Sequence, residues 1–104
     1  MDTHLLAYLA GVFDGEGTIG YYSKGKGKKP ALTLEVKMTD EKLVKLFHET
    51  FGGCLIFKPR AKPHHLDQYR WKVTAHTARV TYNYLFPYLR LKRIDLEPLQ
   101  GDTA

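Results

Sequence analysis

Two carboxylates lie close together in the nine-residue stretch Leu9–Gly17, where Asp14 and Glu16 are separated only by Gly15. They follow an apolar segment of helical length, and the negative end of a helix dipole disfavours additional negative charge at its C terminus. A divalent cation would compensate both carboxylates, with the carbonyl of Gly15 as a further oxygen ligand. The alternative is a solvated Asp-Gly turn that needs no ligand.

The apolar segment before these acids predicts a first helix running from His4 to Phe13, with Asp2 or Thr3 as its N-cap and glycines ending it. Its residues are apolar on every side, which predicts burial all round. So small a domain cannot easily enclose such a helix by itself, so a second chain or an unusual topology is expected.

Short side chains recur along one side of this helix at the spacing i, i+3, i+4, i+7. A stripe of this kind lets another backbone approach closely, although in a lone helix it can also arise by chance. The stripe predicts a helix–helix interface made by Ala7, Ala10, Gly11 and Asp14.

The rest of the chain alternates between strand and helix patterns. Asp40 caps the second helix and Gly52 follows it, while Tyr69, Trp71 and Val73 are expected to face the core. The pattern predicts one α+β domain over residues 1–104, with the order α-β-β-α-β-β-α and helices on one face of an antiparallel sheet. The expected strands are 18–24, 31–38, 54–58 and 68–74, the third helix covers about 77–89 with Val80, Tyr84 and Leu85 inward, and 94–104 forms a short helix or tail.

Basic charge is concentrated on the predicted strands and their connecting loops. The 104 residues carry a net charge of +5, and residues 53–104 hold nine basic against four acidic groups. Basic side chains interleaved with polar ones suit both phosphates and base edges, which favours nucleic-acid binding. The predicted contact residues are Lys24, Lys26, Lys28, Lys29, Thr33, Glu35, Lys37, Lys58, Arg60, Lys62, Gln68, Arg70 and Lys72.

Several classes of protein are excluded by composition. Cys54 is the only cysteine, so neither an intrachain disulfide nor a cysteine-rich zinc site can form. The longest mainly apolar stretch, Leu5–Phe13, is about half of the roughly 20 residues that a membrane span needs. We therefore expect a cytoplasmic protein without a membrane or small-molecule partner.

The stretch Leu9–Gly17 resembles the signature of the LAGLIDADG homing endonucleases, and the predicted element order matches that family from about Leu5 to Arg93, including the late basic run Pro87–Arg93. The resemblance implies a site-specific double-stranded DNA endonuclease. Because this chain has one motif and no internal repeat, it also implies a homodimer whose motif helices pack along the two-fold axis. Such symmetry predicts a long palindromic or nearly palindromic target, cut to leave short 3′ overhangs.

The resemblance also implies roles for individual residues. Glu16 matches the final acid of the motif, and is the expected catalytic residue and metal ligand together with the Gly15 carbonyl. Many members have Asp at this position. Lys92 matches a basic residue at the edge of the active site, with Arg90 or Arg93 as alternatives if the register differs. The implied cofactor is Mg²⁺; Mn²⁺ is expected to substitute, and Ca²⁺ to bind without supporting cleavage.

One position departs from the family pattern. Some members have a glutamine before the second helix that organises water, whereas this chain has Met38, flanked by Lys37 and Thr39. Either Lys37 or Thr39 serves in its place, or the water network differs. The alternative function is a catalytically inactive nucleic-acid-binding protein of the same fold, either an RNA maturase or a DNA-binding regulator. An organelle-encoded member would act inside the organelle instead of the cytoplasm.

Overall fold

The computed structural model of the protein describes residues 2–23, 25 and 27–94. Its element order is the predicted α-β-β-α-β-β-α, with a short 3₁₀ turn after the last helix. The elements are α1 Thr3–Glu16, β1 Gly17–Tyr22, β2 Ala31–Met38, α2 Glu41–Phe51, β3 Cys54–Lys58, β4 Gln68–Thr74, α3 Ala75–Leu85 and the 3₁₀ turn Phe86–Tyr88.

The four strands form one antiparallel sheet in the order β1-β2-β4-β3. Val36 of β2 lies opposite Trp71 of β4, and both point towards the helices. Because side chains alternate along a strand, Lys37 and Arg70, which also lie opposite each other, point to the other face. The helices thus cover one face of the sheet, as predicted, and leave a polar face uncovered.

The core lies between the sheet and the three helices. Trp71 is fully buried, packs 4.8 Å from the Phe47 ring between centroids, and donates from Nε1 to the carbonyl of Gly52 at 2.8 Å. Phe13 brings α1 into the same cluster. The indole donor is therefore satisfied by the backbone that ends α2, and this ties the end of the helix to the sheet.

Helix α1 continues to Glu16, three residues beyond the predicted end at Phe13. Gly15 remains helical, and the chain leaves the helix at Gly17, whose N–H donates to the Phe13 carbonyl. A Cβ at position 17 would collide with the Phe13 ring, so only glycine fits there. Asp2 is the N-cap, and its side chain accepts from the His4 N–H at 2.9 Å.

The predicted inward face of the third helix was partly wrong. Leu85 is buried, but Val80 and Tyr84 are exposed, and the core positions are taken by Ala78 and Tyr82. The helix has two neighbouring apolar rows, and its sequence alone does not say which of them meets the sheet. Of the predicted C-terminal helix or tail, residues 95–104 lie outside the described residues.

Candidate active site and nucleic-acid surface

The buried carboxylate of Asp14 holds the chain that follows the 3₁₀ turn. It accepts hydrogen bonds from three consecutive backbone N–H groups: Arg90 at 2.7 Å, Leu91 at 3.0 Å and Lys92 at 2.9 Å. In return, Lys92 Nζ donates to the backbone carbonyl of Asp14 at 2.9 Å. A lysine at the C-terminal end of a helix also complements the helix dipole. This arrangement, which we call the Asp14 clamp, fixes Lys92 beside the end of α1.

The clamp determines the protonation state of its carboxylate. Burial by itself raises the pKa of Asp14, but the backbone hydrogen bonds from Lys92, Arg90 and Leu91 and the charge of Lys92 outweigh it and lower the pKa below its usual value. Asp14 is therefore ionised at neutral pH. A carboxylate with three N–H donors is already compensated, so it does not need a metal ion.

Glu16 differs from Asp14 in its exposure to solvent and in its hydrogen-bond partners. It is exposed at the last position of α1, and within residues 2–23, 25 and 27–94 no hydrogen bond or ion pair reaches its carboxylate. Gly15 beside it is also exposed, with no atom near the place of a Cβ. The two residues thus offer oxygen donors to a ligand from solvent.

The oxygen atoms of Glu16 and Gly15 are of the type that Mg²⁺ prefers. The described part of the chain contains no group of three or more His, Cys, Asp or Glu side chains that could enclose a metal ion. Mg²⁺ is commonly bound by one or two carboxylates together with water and substrate phosphate, without an all-protein cage. The exposed carboxylate of Glu16 and the carbonyl of Gly15 match that mode of binding.

Helix α1 leaves one side uncovered in this chain, and this corrects part of the predicted interface stripe. Ala7, Tyr8 and Gly11 are exposed, Tyr8 to 56%, so burial all round would need a second chain, as the sequence analysis expected. Ala10 and Asp14, both predicted in the interface stripe, are instead 0% and 8% exposed, because Ala10 faces the core of this chain and Asp14 faces the clamp. The small residues that remain on the surface are Ala7, Gly11 and Gly15, at a regular spacing of four.

The uncovered sheet face carries most of the predicted contact residues. Lys37, Lys58, Arg70 and Lys72 point outward, and Glu35 is the only acid among the outward positions of the four described strands. Exposed cations continue into the two hairpin loops, where Lys28, Lys29, Arg60 and Lys62 lie. Lys24 and Lys26 lie outside the described residues.

Thr33 differs from the other residues of the predicted contact set. Thr33 is on the outward face but only 6% exposed, and its hydroxyl donates to the Ala31 carbonyl at 3.2 Å. It lies opposite Gly20 of β1 and Thr74 of β4 in the interior of the sheet, and its short, nearly buried side chain offers little to a ligand. Gln68 is partly exposed at the start of β4.

Met38 occupies the position where some members of the family have a glutamine. Its side chain packs against the core, so it cannot organise water as a glutamine would, whereas Lys37 and Thr39 are exposed.

The β3–β4 loop has an internal brace that the sequence analysis missed. The Asp67 carboxylate accepts from the Arg60 N–H at 2.8 Å and closes the loop across its base. Beside it lies a cavity of about 550 Å³, open to solvent, whose walls include Lys58, His65 and Gln68. The available signal was an acid at the end of a loop, directly before a strand, because aspartate side chains often accept from backbone N–H groups in loops and turns. The Asp14 clamp was also missed, although an acid at a helix C terminus is a position that demands donors.

No family model matches the chain. Its sequence is similar to the intron-encoded RNA maturase bI4 of Saccharomyces cerevisiae, with 36% identity over 81 residues that cover 74% of this chain and 12% of the maturase. Among solved structures, an archaeal intron-encoded homing endonuclease, I-Vdi141I, complexed with DNA has a TM-score of 0.60 at 18% identity, covering 80% of this chain and 54% of that one. The LAGLIDADG homing endonuclease I-GzeII in complex with its DNA target has a TM-score of 0.59 at 18% identity, covering 80% and 28%.

The chain therefore has the fold of the LAGLIDADG homing endonucleases, as the motif and element order predicted. It spans about half of the length of I-Vdi141I and smaller parts of the other two proteins. In the described part of the chain, no helix is long and apolar enough to cross a membrane.

Proposed function

We propose that the protein is a site-specific double-stranded DNA endonuclease that acts as a homodimer with Mg²⁺. The observation that carries this proposal is the contrast between the two motif acids. Asp14 is satisfied by the chain and positions Lys92, while Glu16 is exposed without a protein partner. An exposed carboxylate can hold a divalent cation, and a lysine held in place can stabilise negative charge on a phosphate during phosphodiester hydrolysis.

DNA binding is supported by the charge of the uncovered sheet face. Lys37, Lys58, Arg70 and Lys72 lie on one surface of the sheet, and β-strands are among the elements that can contact base edges in a major groove. The loop cations extend that surface on both sides and suit phosphates. I-Vdi141I and I-GzeII, which share this fold, are complexed with DNA.

A homodimer is supported by the exposed side of α1. Ala7, Gly11 and Gly15 are at a spacing of four residues, and small residues at this spacing let two helices approach closely. Two copies related by a two-fold axis along this contact bring two Glu16 carboxylates near each other. A symmetric dimer in turn reads a palindromic or nearly palindromic DNA site.

Glu16 and the Gly15 carbonyl are the residues that would hold Mg²⁺. When bound, the ion supplies Lewis-acid stabilisation of the phosphate and lowers the pKa of the attacking water. Lys92, held by Asp14, supplies a fixed positive charge near the same phosphate. By analogy with the fold family, the products are short 3′ overhangs.

A selection on randomised palindromic DNA tests the proposal. Purified protein is incubated with the library in Mg²⁺ and in parallel in Ca²⁺, and cut ends are sequenced. We expect a recurrent symmetric site with staggered ends in Mg²⁺, and binding without cutting in Ca²⁺. Absence of cleavage by a protein that binds the library would reject the nuclease and leave a binding protein.

The second candidate function is RNA binding in intron splicing. The observation that favours it is the 36% identity to an intron-encoded RNA maturase. A protein of this kind would bind folded intron RNA more tightly than duplex DNA at the same salt concentration. Competition between a structured RNA and the selected DNA duplex, measured at fixed ionic strength, separates the two functions.

A further inference from the structure

Glu35 occupies an unexpected position on the basic face of the sheet. It lies on β2, between Thr18 of β1 and Lys72 of β4, at the centre of the outward surface. The Glu35 side chain is 26% exposed, and its Oε1 lies 3.7 Å from Nε of Arg70, whose side chain is 33% exposed. The phosphates of any duplex that the sheet covers would repel a carboxylate at this place.

Stability does not explain this ion pair. The separation of 3.7 Å is too long for a hydrogen bond, and a single partly exposed ion pair contributes little to stability. Removing the acid would make the face more basic and raise its affinity for all DNA. A surface that contacted only the phosphate backbone of DNA would therefore bind DNA more tightly without Glu35.

The free atoms of the pair have complementary hydrogen-bonding characters. Arg70 turns Nε towards Glu35, and no described residue accepts a hydrogen bond from its two Nη atoms, which can therefore donate to a base. Likewise, Oε2 of Glu35 receives no hydrogen bond within the described residues and can accept one. In the major groove, guanine presents two acceptors to an arginine, and cytosine presents an amino donor to a carboxylate.

Building on the proposed DNA binding, we propose that Glu35 is a specificity-determining residue that, together with Arg70, selects one G·C base pair in each half-site. Arg70 donates to the guanine edge. Glu35 accepts from the cytosine amino group, and its charge weakens binding wherever that donor is absent. Discrimination then comes from repulsion of wrong sequences as well as from attraction to the right one.

The test compares Glu35→Gln with Glu49→Gln. The latter removes the same charge from the exposed surface of α2, away from the sheet face. Binding of each variant and the unaltered protein is measured in Ca²⁺ against a library randomised across one half-site, with thermal unfolding to confirm that each is folded. The unaltered protein is expected to prefer G·C at one position by about tenfold or more.

Glu35→Gln should lose most of that preference and bind unselected DNA several-fold more tightly, whereas Glu49→Gln should change neither. Arg70→Gln should lose guanine preference at the same base pair. The inference is overturned if Glu35→Gln keeps the preference, or if Glu35 and Arg70 affect different base pairs. Its failure is distinct from failure of the nuclease proposal, because a protein that binds selectively but never cuts still tests Glu35. Absence of DNA binding by the unaltered protein overturns both.

Discussion

The two sides of the C-terminal end of α1 carry acids of the same charge with opposite surroundings. On the inner side, Asp14 is buried and accepts three N–H groups from residues 90–92. On the outer side, Glu16 is exposed and no described residue binds its carboxylate. The two acids of the motif therefore have different roles. One acid stabilises the fold and positions Lys92, and the other remains available for chemistry.

The largest expected effect tests the outer side. Glu16→Gln should lower DNA cleavage about 1,000-fold, because the metal-holding charge is lost, while DNA binding and thermal stability stay unchanged. Cleavage rates under single-turnover conditions, with binding measured in Ca²⁺, check this. Full cleavage by the purified variant would contradict a catalytic role for Glu16. The two acids would then no longer differ in function as proposed.

The next effect tests the inner side. Asp14→Asn should lower the free energy of unfolding by about 2–3 kcal/mol, since the amide replaces a charged acceptor of three N–H groups with a neutral one that also carries donors. Denaturant unfolding measures this. Glu16→Gln is the matched control and should leave the unfolding midpoint unchanged. Equal stability of the two variants would show that the clamp does not hold residues 90–92 in solution.

A third pair of variants separates the core side from the exposed side of the same helix. Ala10→Leu should destabilise the protomer by about 1–3 kcal/mol through overpacking, because Ala10 is fully buried. Gly11→Leu should leave the protomer folded, because no atom lies near the place of its Cβ. It should instead abolish dimerisation by light scattering. An unchanged dimer would contradict the proposed contact through Ala7, Gly11 and Gly15.

The smallest effect is a pH dependence. The folded-state pKa of Asp14 is lowered by its backbone hydrogen bonds and by Lys92, so its stabilising contribution is complete above the unfolded-state value of about 4 and is lost as pH falls through the folded-state value. The stability difference between the unaltered protein and Asp14→Asn should therefore shrink as pH is lowered from about 5 to 2. A constant difference would mean that Asp14 is not ionised in the clamp.

Sequence patterns predicted the second and fourth strands well, because Ala31–Met38 and Gln68–Thr74 carry a clear two-residue alternation. The third strand also lies at its predicted position, 54–58, whereas the first strand covers Gly17–Tyr22 instead of 18–24. Helices were less well predicted where their apolar positions form more than one row. In α3, Val80 and Tyr84 were predicted inward and are exposed, because packing against β2 and β4 selects the row of Ala78 and Tyr82.

For the candidate site too, some features were predicted from the sequence and others were not. The outward cations of the sheet follow from alternation, and Lys92 follows from the resemblance. Thr33 follows the same alternation but is nearly buried, because alternation indicates only the face towards which a side chain points and not how far that side chain is exposed. The Asp14 clamp joins residues 76 to 78 positions apart, and no local pattern reports a contact of that range.

By itself, the sequence determined the order of elements, the basic character of one sheet face and the presence of two acids at the end of α1, because all three depend on local periodicity and residue type. Only the tertiary structure decided which acid is free. That outcome depends on where residues 90–92 return to the helix, and therefore on the packing of α3 and the 3₁₀ turn against α1. The same packing buries Ala10 and leaves Gly11 exposed.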